Sequence, residues 1–279
     1  MHGSGWMTRI AARRDGPRVT LRPASLWALA APLLALLLLP LVALLLRTPP
    51  GTLTLALHEP GTRQAIALSL GTSLLTVLLA LVCGTPLAYL LARRRPAGVA
   101  LLEVLVDLPT VLPPAVAGLA LLMAFGRRGV LGGLLASVGI EVAFTTAAVV
   151  MAQTFVAIPY YVKSAAVGLA GVSHELEQAA ALDGASPWQI FRYVVAPLAR
   201  RGIAGGLALC WARALGEFGA TIIFAGNFPG RTQTMPLAIY LGFEIDLGQA
   251  LTLAAIMLAV SFTVLLVIRA ALQPQPTDG

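Results

Sequence analysis

Long apolar runs, separated by short polar joints rich in Gly, Pro and Arg, set the pattern of this chain from residue 26 onward. A helix that crosses a bilayer needs about 20 mostly apolar residues. Six stretches meet that length, at roughly 26–46, 67–91, 99–124, 143–166, 202–225 and 248–269. Arg93–Arg95 with Pro96 close the second, and Gly126–Gly133 separate the third from the fourth. The expected fold class is therefore all-α, a polytopic membrane protein with six transmembrane helices. Only 171–201 has the mixed character of a soluble segment.

Several runs are more than anchors. The second holds "GTP" (Gly84–Pro86), the third "LPTVLPPAVAG" with Pro109, Pro113 and Pro114, and the fourth Pro159. Proline removes a backbone donor and bends a helix. In lipid this is tolerated only where neighbouring protein or a water-filled cavity satisfies the freed carbonyl. Packing kinks account for the other prolines. The double proline beside Thr110 instead suits a broken, cavity-facing segment, so Thr110, Pro113 and Pro114 are the candidate pathway or gate.

Composition sharpens this reading. The chain is 58% hydrophobic and 11% charged, with mean hydropathy +0.86. Soluble domains carry about 25% charge, so lipid is the expected solvent. A net charge of +7 raises the question of nucleic acid. The basic residues, however, sit in short clusters between apolar runs, which is a topological pattern. With the N-terminus in the cytoplasm, thirteen of the nineteen fall inside and five outside, with Arg213 within a span. Both termini are then cytoplasmic, which agrees with an even number of spans. Residues 1–25 form the cytoplasmic N-terminal segment and 271–279 the tail. The first run follows five arginines, as a signal peptide would. It is longer than a usual signal core, and no small-x-small cleavage site follows, so 26–46 is read as an uncleaved first span. Cys83 and Cys210 lie in separate apolar runs and are expected as buried thiols, neither paired nor metal-bound.

The insert reads "GVSHELEQAAALDGASPWQIFRYVVAPLARR", Gly171 to Arg201. Ser173 can cap a helix whose first turn holds Glu175 and Glu177, which suits the helix dipole. Gly184 ends that helix. Ser186 caps a second, with Pro187 at its first position and Pro197 as its stop. Trp188, Phe191, Val194 and Val195 form one apolar face. Two readings stand: a helix lying on the headgroups, or an element that docks into a groove of a soluble partner.

"ELEQAAALDGASPWQIFRYVVAPL" resembles the EAA loop of ABC-importer permeases. Glu177, Ala179, Ala180, Gly184 and Pro197 fit that pattern, with Gln178 where alanine often stands. The resemblance extends over about 65–270, the permease core, and implies that 171–201 carries the coupling helix seated in a cleft of an ATPase subunit. The chain itself has no G-x-x-x-x-G-K-[ST] phosphate loop. Its lone Lys163 precedes Ser164 but follows Val162. Nor is there a run of buried carboxylates like those of a proton relay. Glu103, Asp107 and Glu217 are the acids within spans, the first two near the inner end of the third.

A second polar interruption, "GEFGATIIFAGNFPGRTQTMPLAIY", runs from Gly216 to Tyr240, across the end of the fifth span and the outer loop before the sixth. Arg213 and Glu217 are four apart and share a helix face. Either alone would be expensive in a membrane; as a pair they lock helices or take part in gating. Beyond them Asn227, Arg231, Thr232, Gln233 and Thr234 offer one charge and several neutral donors. Such a set can receive an oxyanion without trapping it; it is also what a plain surface loop would contain. "GEFGAT", "GN", "PGRTQT" and "PLAIY" together resemble the molybdate-type permeases, and sulfate permeases are similar at "GEFG". The resemblance implies a molybdate or tungstate importer, with a sulfate or thiosulfate permease as the alternative. It also implies a homodimer, two ATP-binding subunits carrying ATP and Mg, an extracytoplasmic oxyanion-binding protein and a bacterial or archaeal inner membrane. No cofactor would be bound by this chain, and no nucleic acid. An ion-coupled secondary transporter and a membrane scaffold are the readings outside this family.

Overall fold

A computed structural model describes residues 23–49, 51–93 and 98–272 of the chain. The N-terminal arginines Arg9 to Arg22, Arg94–Pro96 and the tail from 273 lie outside the described residues. Every regular element among those described is helical.

The chain divides into two units, the first ending at Arg47. That unit is described by one helix, α1 (Pro23–Arg47), which contains Pro32 and Pro40 and whose apolar stretch Leu26–Arg47 is long enough to cross a bilayer.

The second unit begins with a short helix, α2 (Thr52–His58), absent from the expected spans. A continuous helical rod then runs from Pro60 to Arg93, longer than the predicted 67–91. It comprises α3 (Pro60–Leu79), a π-helical turn at Ala80–Gly84 and α4 (Thr85–Arg93). Pro86 cannot donate to the carbonyl four residues back, and the widened turn just before it absorbs that defect without a kink.

The third predicted span is not one helix. It consists of α5 (Val99–Val111) and α6 (Pro114–Phe125), which turn by 113° at Leu112–Pro113. The double proline is the cause. Leu112 precedes a proline and is held extended, ψ 134°, while Pro114 starts the next helix at its first turn. A six-residue helix, α7 (Gly132–Ser137), sits in the joint that follows. The fourth span is α8 (Thr146–Ala170), capped by the Thr145 hydroxyl and continuous through Pro159.

The insert holds α9 (His174–Leu182) and then a nearly continuous helical path from α10 (Pro187–Ile190) through a π-helical turn at Phe191–Val195 to α11 (Ala196–Leu198). Pro197 therefore does not stop the second helix. The π turn ahead of it frees the Pro197 position from the hydrogen-bond ladder, as at Pro86, and the break comes at Ala199. The fifth predicted span also divides, into α12 (Arg200–Leu215) and α13 (Gly219–Phe224). Alone, α12 spans about 24 Å, short of a hydrocarbon core of about 30 Å. The expected outer loop contains α14 (Met235–Ile245), an apolar helix packed on α15 (Leu247–Leu272), the last span. Among the described residues three helices are long and apolar enough to cross a bilayer, or up to five if each bent pair counts as one span. The sequence pattern had indicated six.

The largest helix–helix interface joins α8 to α12. A side-chain carbon added to Gly202 would stand 2.6 Å from the Gly168 Cα, so only hydrogen lets the two backbones cross there. Tyr161, Leu169, Cys210 and Ala214 are buried along the same interface. Two polar pairs link helices inside the bundle: Thr76 donates to Gln153 Oε1 (3.2 Å), and Thr85 shares a hydrogen bond with the Tyr161 hydroxyl. Cys210 is buried as expected, but Cys83 is exposed; both thiols are free.

Candidate functional site: two broken spans and a docked helical insert

The two broken spans meet. α6 packs on α13, and a Cβ placed on Gly219 would lie 2.6 Å from the Pro114 Cβ. A Cβ on Gly118 would come within 2.7 Å of the Ala220 carbonyl oxygen. The second glycine of "GEFG" is thus the floor against which the Pro114 ring rests. Around it Ala117, Leu121, Val149, Val156 and Phe224 close an apolar cluster between α6, α8 and α13.

Arg213 and Glu217 stand at the other side of this junction. Arg213 Nη1 lies 2.6 Å from Glu217 Oε2, and the Glu217 side chain is 1% exposed. Its second oxygen accepts from the Ala220 N–H at 2.8 Å. The carboxylate therefore ties the end of α12 to the first turn of α13 across the break at Gly216–Phe218. It spends both oxygens on structure, and the cation that neutralises it is one helical turn back. Thr110, Pro113 and Pro114 are exposed beside the other break, where the Thr110 hydroxyl donates to the Asp107 carbonyl (2.7 Å).

Phe228–Thr234 lies beyond the far end of α13, about 9 Å along that helix. The Phe228 N–H donates to Thr232 Oγ1 (3.0 Å), and the Phe228 carbonyl accepts from the N–H groups of Arg231, Thr232 and Gln233. The Met235 N–H donates to Ser69 on α3 (2.7 Å), and Thr146 on α8 donates to the Arg231 carbonyl (2.8 Å). Thr232, Gln233 and Thr234 are buried, and Thr232 is committed within the loop. Asn227 Nδ2 reaches the Leu237 carbonyl at 3.5 Å. Asn227 Oδ1, Thr221 Oγ1 and Thr234 Oγ1 are buried without a hydrogen-bond partner among the described residues. The Arg231 side chain is exposed and forms no ion pair among those residues.

The insert is built by local rules. Ser173 caps α9 through the Glu175 N–H. At the other end Gly184 has φ +86°. Its N–H donates to the Ala181 carbonyl, and the Ala185 N–H donates to the Ala180 carbonyl, both at 3.0 Å. This is the Schellman pair, and its left-handed residue favours glycine. Ser186 and Gln189 then form a reciprocal capping box. Ala179 and Gly184 are exposed, Ala180 half-buried and Pro197 exposed. Trp188 stacks on Phe191 (5.7 Å) yet stays 66% exposed, while Val195 is fully buried.

Sequence reasoning missed what holds the insert in place. Glu177 forms a salt bridge with Arg93 at the end of α4 and accepts from the Tyr89 hydroxyl (3.4 Å). Arg93 also donates to the Val172 carbonyl (2.9 Å). Arg93 had been read as a topological charge only. A partner 84 residues away leaves no local signal in a sequence. Lys163 on α8 and Asp107 on α5 form a second missed pair, with Nζ 2.7 and 2.8 Å from the two carboxylate oxygens.

Apolar spans that bend at mid-length, a close-crossing helix pair and a helical insert tied down by Arg93 define a polytopic helical membrane protein. Residues 84–277 match the family described as binding-protein-dependent transport system inner membrane component, and the chain belongs to that family. It is 43% identical over 230 residues to the molybdenum transport system permease protein ModB of Mycobacterium tuberculosis, covering 82% of this chain and 86% of that one. It is 35% identical over 237 residues to a probable sulfate transport system permease protein of Zygnema circumcarinatum, covering 84% and 82%. Its fold is like that of a chain from a bacterial ABC transporter that imports the acidic polysaccharide alginate (TM-score 0.67, 17% identity, 88% and 94% covered).

Proposed function

We propose that the chain is the permease subunit of an ATP-driven importer of molybdate, with tungstate as a near-isosteric cargo. The observation that carries this reading is the 43% identity to molybdenum permeases across four fifths of the chain. In it, two copies enclose the path on their symmetry axis. Two ATPase subunits seat the α9–α10 insert, and ATP and Mg belong to them. An extracytoplasmic binding protein delivers the anion beside Asn227–Thr234. Both termini face the cytoplasm of a bacterial or archaeal cell. Closure of the ATPases draws the two inserts together. The Arg93–Glu177 pair passes that displacement to α4, and the α6–α13 junction moves as a unit because its backbones are in contact.

Support for a donor mouth comes from the Thr234 hydroxyl, which has no hydrogen-bond partner among the described residues, and from the exposed Arg231 guanidinium, which forms no ion pair among them. A sulfate or thiosulfate importer is the second reading, favoured by the 35% identical sulfate permease. Reconstitution in proteoliposomes with the ATPase and binding protein decides between them. Uptake of molybdate is expected to require ATP and to be displaced by tungstate at far lower concentration than by sulfate. Uptake driven by an ion gradient without the ATPase would overturn the importer reading.

A further inference from the structure

The Asp107–Lys163 pair is unexplained by anything above. Lys163 is the only lysine in the chain. Both residues lie inside apolar helices. Asp107 stands eight residues past the start of α5, and Lys163 seven before the end of α8, roughly 10–12 Å along each helix. Yet their side chains are 35% and 60% exposed. Charged side chains carried by membrane helices face a bundle interior or water, not lipid. Both faces mix polar and apolar positions: Thr110 and the exposed Glu103, Val104 and Val111 lie one turn from Asp107, and the exposed Tyr160 and Val167 one turn from Lys163. Thr110 leads directly into the break at Leu112–Pro113.

We infer that this α5–α8 face lines the aqueous path, and that the Lys163 ammonium is a transit site for a doubly negative tetrahedral oxyanion. The inference rests on the importer reading. An ammonium has three donors and no acceptor, which suits an oxyanion of any orientation. A lone ammonium in a low-dielectric path would hold a dianion too long, and a conduit must release what it binds. Asp107 supplies the release: it is a fixed anion, already within contact distance, that takes the ammonium back as the cargo leaves. The pair itself is neutral at rest.

The test uses the full complex with its ATPase and binding protein in proteoliposomes. Lys163→Gln is expected to lower the rate of molybdate uptake about tenfold, the scale of a lost charge-assisted hydrogen bond, at normal membrane level and normal assembly with the ATPase. Lys163→Arg is expected to retain most of it. Asp107→Asn is expected to lower KM and kcat together, because cargo binds more tightly and leaves more slowly. In a Cys83→Ala background, Lys163→Cys is expected to react with a membrane-impermeant anionic thiol reagent. Wild-type uptake in Lys163→Gln, or reaction of Lys163→Cys only with lipid-soluble reagents, would overturn the inference and leave the importer reading standing. If the wild-type complex carries sulfate, the same variants are read with sulfate. If it carries no oxyanion, both fall.

Discussion

At the scale of single residues, charge in this chain is spent in pairs. Glu217, Glu177 and Asp107 each meet one cation, and each pair joins two helical segments. Glu177 bears most on function. The residue matched to a partner-docking motif faces its own chain, gripping Arg93 and Tyr89, while Ala179, Leu182, Gly184 and Trp188 are exposed on the insert. Arg93→Ala would strand the Glu177 carboxylate and release the Val172 carbonyl. Removing one member of a buried pair costs about 3 kcal/mol or more, so the insert is expected to undock. Proteolysis within 171–201 should then accelerate at least tenfold, since 1.4 kcal/mol is a factor of about ten. The double variant Arg93→Ala, Glu177→Ala should recover part of the protection, because no charge is left unpaired. Equal cleavage of Arg93→Ala and the parent would refute this.

The helices themselves show which rules are local. The caps at Ser173 and Ser186, the stop at Gly184 and the break at Pro113–Pro114 were legible, whereas Pro197 does not stop its helix and Pro159 does not break its own. A proline or glycine acts on its own backbone, so its effect needs no tertiary context. The division of the fifth span at Gly216–Phe218 was not legible, because nothing in that stretch forbids a helix. The break falls where Gly219 meets Pro114, a contact that only the packing of α13 on α6 shows. Two element-scale outcomes follow. Gly184→Pro imposes φ near −65° where +86° is needed, so ATP hydrolysis should continue while uptake falls, with insertion unchanged. Coupled uptake at parental level would exclude a role for this stop. Gly219→Val places carbons on the Pro114 ring and should separate α6 from α13. Overpacking costs about 1–3 kcal/mol, seen as a lower Tm in detergent together with lost uptake. An unchanged Tm would show that the junction yields freely.

At the scale of the whole molecule, the close backbone crossing of α8 and α12 forms the largest helix–helix interface of the second unit. Arg231 is the exposed cation beside the loop where the binding protein is proposed to arrive. Arg231→Ala is expected to raise the concentration of binding protein needed for half-maximal uptake by about fivefold, the scale of about 1 kcal/mol for a rim charge. The shift should shrink at high salt, where exposed charges are screened. A titration unchanged at low salt would remove Arg231 from the interface.

Membrane residence, the helical class, the limits of most apolar elements, the caps at Ser173 and Ser186 and the break at Pro113–Pro114 were determined by the sequence itself. Each depends on hydropathy or on one residue's own backbone chemistry, which acts over a few positions. The pairing of Arg93 with Glu177 and of Lys163 with Asp107, the meeting of Gly219 with Pro114, the commitment of Thr232 to its own loop and the exposure of Cys83 were decided only by the tertiary structure. Those contacts join residues that helix packing alone brings together, or depend on which way a helix turns its faces, and apolar runs this uniform carry too little pattern to say which way that is.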